Sequence, residues 1–245
     1  MPTYRDEGLV LRTRKLGEAD RIITVLTRRH GKIRAVGKGV RRTSSKFGAR
    51  LEPFSHVDLQ FAEGRSIDIV TQAESLHPLG EWFAADFDRY VLGQVALEVA
   101  DRLVVEEREP ALQQFLLLVG ALRAMVSGTT DGDRPPRMII NAYLLRAISV
   151  AGYAPTFDAC SRCGVEGPHE SFSVQLGGSV CRRCRPPGSA VLSPQVQQHL
   201  TALLTGDWPA TREVTDAVMK QASGLISAFL TWQTEHRFRS LSQVG

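Results

Sequence analysis

The chain has 245 residues, is 43% hydrophobic, and carries 30 Lys and Arg against 26 Asp and Glu, a net charge of +4. That apolar content suffices for a packed core and excludes wholesale disorder. No apolar run approaches the ~18 residues of a membrane span, and the charged start (Arg5, Asp6, Glu7, Arg12) has no apolar core of a signal peptide. A soluble cytoplasmic protein with no membrane association is expected.

Charge is uneven along the chain. Residues 1–50 hold 14 basic side chains against 4 acidic ones (Asp6, Glu7, Glu18, Asp20), net +10, and the remainder is net −6. Such asymmetry points to a polyanion bound at the N-terminal end rather than to a surface that merely happens to be basic.

The first eighty residues read as β. Gly8–Arg14, Asp20–Thr27 and Gly31–Val36 are short runs rich in Val, Ile, Leu and Thr, separated by Gly17, Gly31 and Gly37. Val57-Asp58-Leu59-Gln60-Phe61 alternates, so one face is buried and the other wet, and Ile67-Asp68-Ile69 repeats the pattern after a turn at Glu63-Gly64. About five strands without a long intervening helix fit a small antiparallel barrel, of which the five-stranded OB barrel is one common solution. Between strands, residues 38–50 interleave Lys38, Arg41, Arg42, Lys46 and Arg50 with Gly39, Ser44, Ser45 and Gly48, the composition of a mobile basic loop.

After His77-Pro78 the period becomes helical. Phe83, Phe87, Val91, Val95, Val99 and Leu103 recur near every fourth position. Pro110 is suited to the first position of a second helix running to Val126, and a third follows Pro136 and stops near Gly152. Ser193-Pro194 reads as N-cap and first position of a helix ending at Gly206, and residues 212–241 read as a last helix. The expected class is α+β: an OB-type barrel at 1–79, then a helical domain at 80–245 with an insertion at about 155–187.

That insertion holds every cysteine of the chain: Cys160-x-x-Cys163 and Cys181-x-x-Cys184, seventeen residues apart. The spacing is that of a zinc site built from two knuckles, each supplying two thiolates to one tetrahedral ion. Four thiolates close the coordination shell, so the zinc is structural. Two disulfides would need an oxidising compartment, and a lone redox pair would not recur at knuckle spacing. His169, between the pairs, reads as a loop residue.

Other chemistry is missing from the sequence. Gly37-Lys38-Gly39 has Lys32 rather than glycine five residues earlier, so it is not a nucleotide-binding loop, and no nucleotide cofactor is expected. No G-x-S-x-G elbow or H-E-x-x-H pair occurs. Glu106, Glu107 and Glu109 read as a solvated helix end rather than a magnesium cluster. Two alternatives stay open: an RNA-binding or transcription-associated OB and zinc-ribbon module, and a metal-dependent nuclease.

Several runs carry a resemblance: Glu7–Leu11, Gly17-Glu18-Ala19-Asp20-Arg21-Ile22, Leu26-Thr27, Gly31-Lys32-Ile33, Gly37–Arg42 and Ser44–Leu51, followed by the cysteine knuckles and the closing His236-Arg237-x-Arg239-Ser240-Leu241. Together they resemble the bacterial recombination-repair mediators of the RecO family. The resemblance implies an OB fold, a helical domain with a zinc finger, and a mediator of DNA repair and recombination rather than an enzyme, associated with the nucleoid. It implies binding to single- and double-stranded DNA, annealing of complementary strands, and action with RecR and single-strand-binding protein so that RecA can load.

By position, the basic residues of the family's motifs fall on Arg21, Lys32, Arg34, Lys38, Arg41, Arg42, Lys46 and Arg50. Lys38, Arg41 and Arg42 lead, because a glycine-flanked basic loop can follow a phosphate backbone. Arg21 has a structural ion pair as its competing role. Aromatic platforms are scarce in residues 1–50, with only Tyr4 and Phe47, so recognition is expected to lean on phosphates and to ignore sequence. The acidic, apolar-ended tail of the coating protein calls for an apolar groove edged by Lys or Arg in the helical domain.

Overall fold

The computed structural model describes residues 1–77, 79–235 and 238. It divides into two compact units, residues 1–126 and 127–245.

Five strands open the first unit: β1 (Thr3–Leu16), β2 (Asp20–Thr27), β3 (Gly31–Gly37), β4 (His56–Ala62) and β5 (Asp68–His77). They close into a barrel in the order β1-β2-β3-β5-β4, with β4 returning to β1. All pairings are antiparallel except β3 with β5. β1 is long because it serves two neighbours, Thr3–Leu9 pairing with β4 and Gly8–Leu16 with β2. Gly8 sits where the two ladders overlap, and a Cβ there would lie 2.5 Å from Val25 Cγ1.

The barrel interior follows the alternation of the strands. Val10, Ile23, Val25, Ile33, Ala35, Val57, Leu59, Phe61 and Val70 fill it. The basic loop contributes as well: Val40, Phe47 and Leu51 are buried in the same cluster, the last within a short 3₁₀ turn at Gly48–Leu51. The loop is therefore anchored by apolar plugs that spare its charges, where composition alone suggests a free segment. The reading of Asp68 also changes. It is fully buried, with Ile67 and Ile69 half-buried on either side. Its carboxylate accepts from Tyr4 Oη at 2.6 Å, Arg108 Nη2 at 2.7 Å and the Gly64 amide at 3.1 Å. A buried charge satisfied by several donors behaves as part of the core.

The unit continues with α1 (Leu79–Ala84), α2 (Phe87–Leu103) and α3 (Leu112–Ser127). The apolar stripe expected from Phe83 onward is split. Asp86 ends the first run and caps the second by accepting from the Arg89 amide at 2.9 Å. Phe83 stacks on Phe54 at 4.5 Å, whereas Phe87 is 78% exposed. Pro110 lies two residues ahead of α3 instead of opening it.

In the second unit α4 (Pro136–Val150), α5 (Pro194–Thr205) and α6 (Asp216–Thr234) pack pairwise. Ser193 caps α5 and Gly206 ends it in the left-handed conformation, as the sequence indicates. The last helix starts later than expected, at the Thr215 cap, and ends at Thr234. The closing motif His236, Arg237, Arg239, Ser240 and Leu241 lies outside the described residues. Between α4 and α5 a small sheet, β6 (Ser171–Ser173), β7 (Gly178–Ser179) and β8 (Ala190–Val191), carries the cysteine knuckles. Phe172 packs edge-on against Phe229 of α6 at 6.1 Å, seating the insertion on the helices.

Candidate metal centre and nucleic-acid interface

The two knuckles are turns held by backbone hydrogen bonds. Gly164 N donates to Cys160 O at 2.8 Å, Cys184 N to Cys181 O at 3.0 Å, and Ser161 N to Ser179 O at 2.9 Å, which ties one knuckle to the strand leading into the other. Gly164 has φ +72, the left-handed conformation that completes the first turn. The result is that the Sγ atoms of Cys160, Cys163, Cys181 and Cys184 all lie within 4.8 Å of one another, with Cys163 and Cys181 at 3.9 Å. A tetrahedron with metal–sulfur bonds of about 2.3 Å has sulfur–sulfur edges of about 3.8 Å. No disulfide joins them. The donor set fits a metal ion. His169 takes no part: its Nε2 meets the Val165 carbonyl at 3.0 Å.

The thiols are poised unequally. The Cys181 backbone amide, and then those of Cys163 and Arg162, draw the Cys160 pKa down to about 6. Hydrogen bonds with Cys163 and Cys181 push Cys184 up to about 12. Four sulfurs this close cannot all ionise on their own, and a divalent ion at their centre removes that conflict.

The second feature is the distribution of positive charge on the barrel. Seven of the fourteen basic residues in 1–50 face carboxylates. Arg5 pairs with Asp58 and Glu74, Arg12 with Asp101, Arg28 with Glu7, and Arg29 with Asp6. The other three are among the candidate DNA ligands. Arg21 meets Glu52 at 2.7 Å and Thr13 Oγ1 at 3.1 Å. Arg34 lies 3.4 Å from Glu107 and is about half exposed. Lys32 is turned inward, with Nζ donating to the Asp101 carbonyl at 2.8 Å and only 11% of its side chain exposed. Such a group cannot reach a phosphate without breaking a buried pair, so Lys32 belongs to the core.

The remaining seven, Arg14, Lys15, Lys38, Arg41, Arg42, Lys46 and Arg50, are exposed and have no carboxylate partner among the described residues. The fold ties the segments that carry them to one another. Arg14 and Lys15 lie on the β1 arm of the β1–β2 hairpin. Arg41 reaches back to that hairpin's turn, donating to the carbonyls of Gly17 at 3.3 Å and Glu18 at 2.8 Å. Asp20 accepts from the Gly39 amide at 2.7 Å, so the loop leaves β3 against the same turn. Lys46 and Arg50 then bond the Thr71 and Ala73 carbonyls of β5 at 2.9 and 3.0 Å. Carbonyl contacts fix these side chains without cancelling their charge. Arg14 and Lys15 are not among the sequence candidates. Their signal is present in the charge count, but the hairpin register is needed to set them beside the loop.

In the second unit an apolar groove is lined by Tyr153, Val174, Ala228, Thr231, Trp232 and Glu235. Its described lining residues include no lysine or arginine. No helix among the described residues is long and apolar enough to cross a membrane.

Comparison with known proteins covers the whole chain. Residues 1–79 match the family model "Recombination protein O N terminal", and residues 84–242 match "Recombination protein O C terminal". The "DNA repair protein RecO" of Nocardioides sp. is 54% identical over 244 residues, covering 98% of both chains. That of Cutibacterium acnes is 53% identical over 241 residues, again covering 98% of both. The one of Thermobifida fusca is 52% identical over 244 residues, covering 100% of this chain and 99% of the relative. With a closed five-stranded barrel, a helical unit and a four-cysteine centre in the positions the two models span, the chain belongs to the recombination protein O family.

Proposed function

We propose that this protein is a mediator of recombinational DNA repair that binds single- and double-stranded DNA by its phosphates, anneals complementary strands without nucleotide, and acts with RecR on DNA coated by single-strand-binding protein so that RecA loads. The observation that carries the binding step is the set of seven exposed cations that have no carboxylate partner among the described residues, on the basic loop and the hairpin it touches. Carbonyl-fixed guanidinium and ammonium groups keep donors free for phosphate oxygens, and such contacts read no sequence. Arg21 and Arg34, already paired, take a lesser part, and Lys32 none.

We further propose that the four-cysteine centre holds Zn²⁺. Soft thiolates in a closed tetrahedron suit zinc, which needs no redox chemistry and leaves no position for a substrate. The ion organises the insertion, and the DNA step passes through the barrel's own residues.

The test is binding of labelled DNA over a salt series. Changing Lys38, Arg41 and Arg42 together to Ala should weaken binding to every sequence alike and lower the slope of log K against log salt by ~1 for each phosphate no longer neutralised. Lys32→Ala should leave that slope unchanged while lowering stability by about 1–3 kcal/mol, because it strips a buried partner from Asp101. A triple variant that binds like the wild type at all salt concentrations would refute the interface. RNA competing as well as DNA of equal length would favour the RNA-binding reading, and cleavage of labelled DNA with Mg²⁺ or Mn²⁺ the nuclease one.

A further inference from the structure

Resting on the DNA-binding reading, we infer that a groove beside the basic loop takes an unstacked base of a bound single strand, with Tyr90 as the stacking platform. The groove has a volume of about 550 Å³ and lies wholly within the first unit. Clefts of roughly 300–1,000 Å³ are the usual size for small-molecule rings. Its apolar lining includes Phe54, Tyr90, Pro53 and Ala84, and Arg50 lines it as well. Arg50 is also the last of the seven unpaired cations, fixed by the Ala73 carbonyl at 3.0 Å. The groove is thus continuous with the proposed phosphate track, and a strand following that track reaches it.

The aromatic groups are set for a planar guest. Tyr90 is 42% exposed, its ring held edge-on against Phe54 at 5.6 Å, while Phe54 is buried and stacks on Phe83. One helical turn earlier on the same face of α2, Phe87 is 78% exposed. Exposed rings beside cations are the combination that holds single strands, since every base offers a π-face. Arg50, exposed on the groove lining, would hold the phosphate. Glu52 is occupied by Arg21, and the Glu81 carboxylate on the groove wall repels a phosphate, so the base rather than the backbone is what enters. The rings are contributed by α2, which explains why residues 1–50 hold so few.

The experiment uses full-length protein and oligonucleotides carrying 2-aminopurine, whose fluorescence is quenched by stacking. Wild type should quench the probe in a single strand. Tyr90→Ala should abolish the quenching and lower single-strand affinity about tenfold. Duplex affinity and the salt slope should stay unchanged, because duplex bases are already stacked and every phosphate-binding cation is kept. Tyr90→Phe should behave as wild type. Ala84→Leu, at an exposed position, fills the groove and should reproduce the Tyr90→Ala result with Tyr90 and Phe54 both retained. The inference is overturned if Tyr90→Ala binds single strands normally, if it loses single-strand and duplex affinity equally, or if an apolar peptide occupies the groove while DNA binding is unaffected. Failure of the underlying reading looks different: there the Lys38, Arg41 and Arg42 triple variant, not the groove variants, binds DNA like the wild type.

Discussion

His199 is buried on α5, 3% exposed, with neither ring nitrogen hydrogen-bonded. Burial lowers its pKa. His56 is lowered too, by burial that outweighs its 2.8 Å contact with Glu7. For both, the unfolded chain titrates near the ordinary value of about 6.5 and the folded chain lower. Between those two values the unfolded state binds more protons, so stability falls as pH drops through that window and is fully present above it. Replacing His199 with Leu should flatten the loss of thermal midpoint as pH falls below about 6.5, and raise stability by about 1 kcal/mol at neutral pH, because an unpartnered polar group leaves the core. An unchanged acid dependence would show that folding does not lower the His199 pKa.

Two elements depend on single positions. The β2–β3 turn passes under the segment before α3. Gly31 has φ +64, and a Cβ there would lie 1.7 Å from the Glu109 carbonyl oxygen. Gly17, in the β1–β2 turn, has φ +58 but open space around it. Gly31→Ala should therefore cost at least about 2 kcal/mol, through strain and a backbone collision, whereas Gly17→Ala should cost only the left-handed strain of about 1 kcal/mol. Denaturant midpoints of the two variants compare them directly. The cysteine insertion is the other case. Its sheet is three short strands, too small to hold a fold alone, and structural zinc supplies on the order of 10 kcal/mol in finger-sized peptides. Cys181→Ser should lower the metal content measured by elemental analysis and expose residues 155–187 to protease, while α4 and α6 stay protected. Metal-free protein with four freely reactive thiols would refute the site.

At the scale of the molecule, seven of the fourteen basic residues in 1–50 face carboxylates and seven are exposed without one among the described residues. The exposed half can offset repulsion between two phosphate backbones, the main obstacle to bringing strands together. Annealing of a fluorescent strand pair should accelerate without nucleotide, and should slow in the Lys38, Arg41 and Arg42 triple variant. On coated DNA it should depend on the tail of the coating protein, and equal rates with tailed and tailless protein would remove that contact from the proposal.

The sequence by itself determined whatever is written in short spacings. The clustering of four cysteines follows from two C-x-x-C knuckles, and the barrel strands from alternation such as Val57-Leu59-Phe61. The helix starts follow from caps such as Ser193 ahead of Pro194. Each is a local property of a few neighbouring residues, set by backbone geometry before any distant contact forms. Only the tertiary structure decided which charges are free. Lys32 is withdrawn by Asp101, Arg34 pairs at the surface with Glu107, both partners about seventy positions away, and Asp68 is buried by Tyr4 and Arg108. Nothing in the spacing of Lys32 separates it from Lys38. Likewise Tyr90 reads as one more residue of a helical stripe until the fold places it beside Arg50. Charge pairing and grooves depend on long-range proximity, which a one-dimensional pattern does not contain.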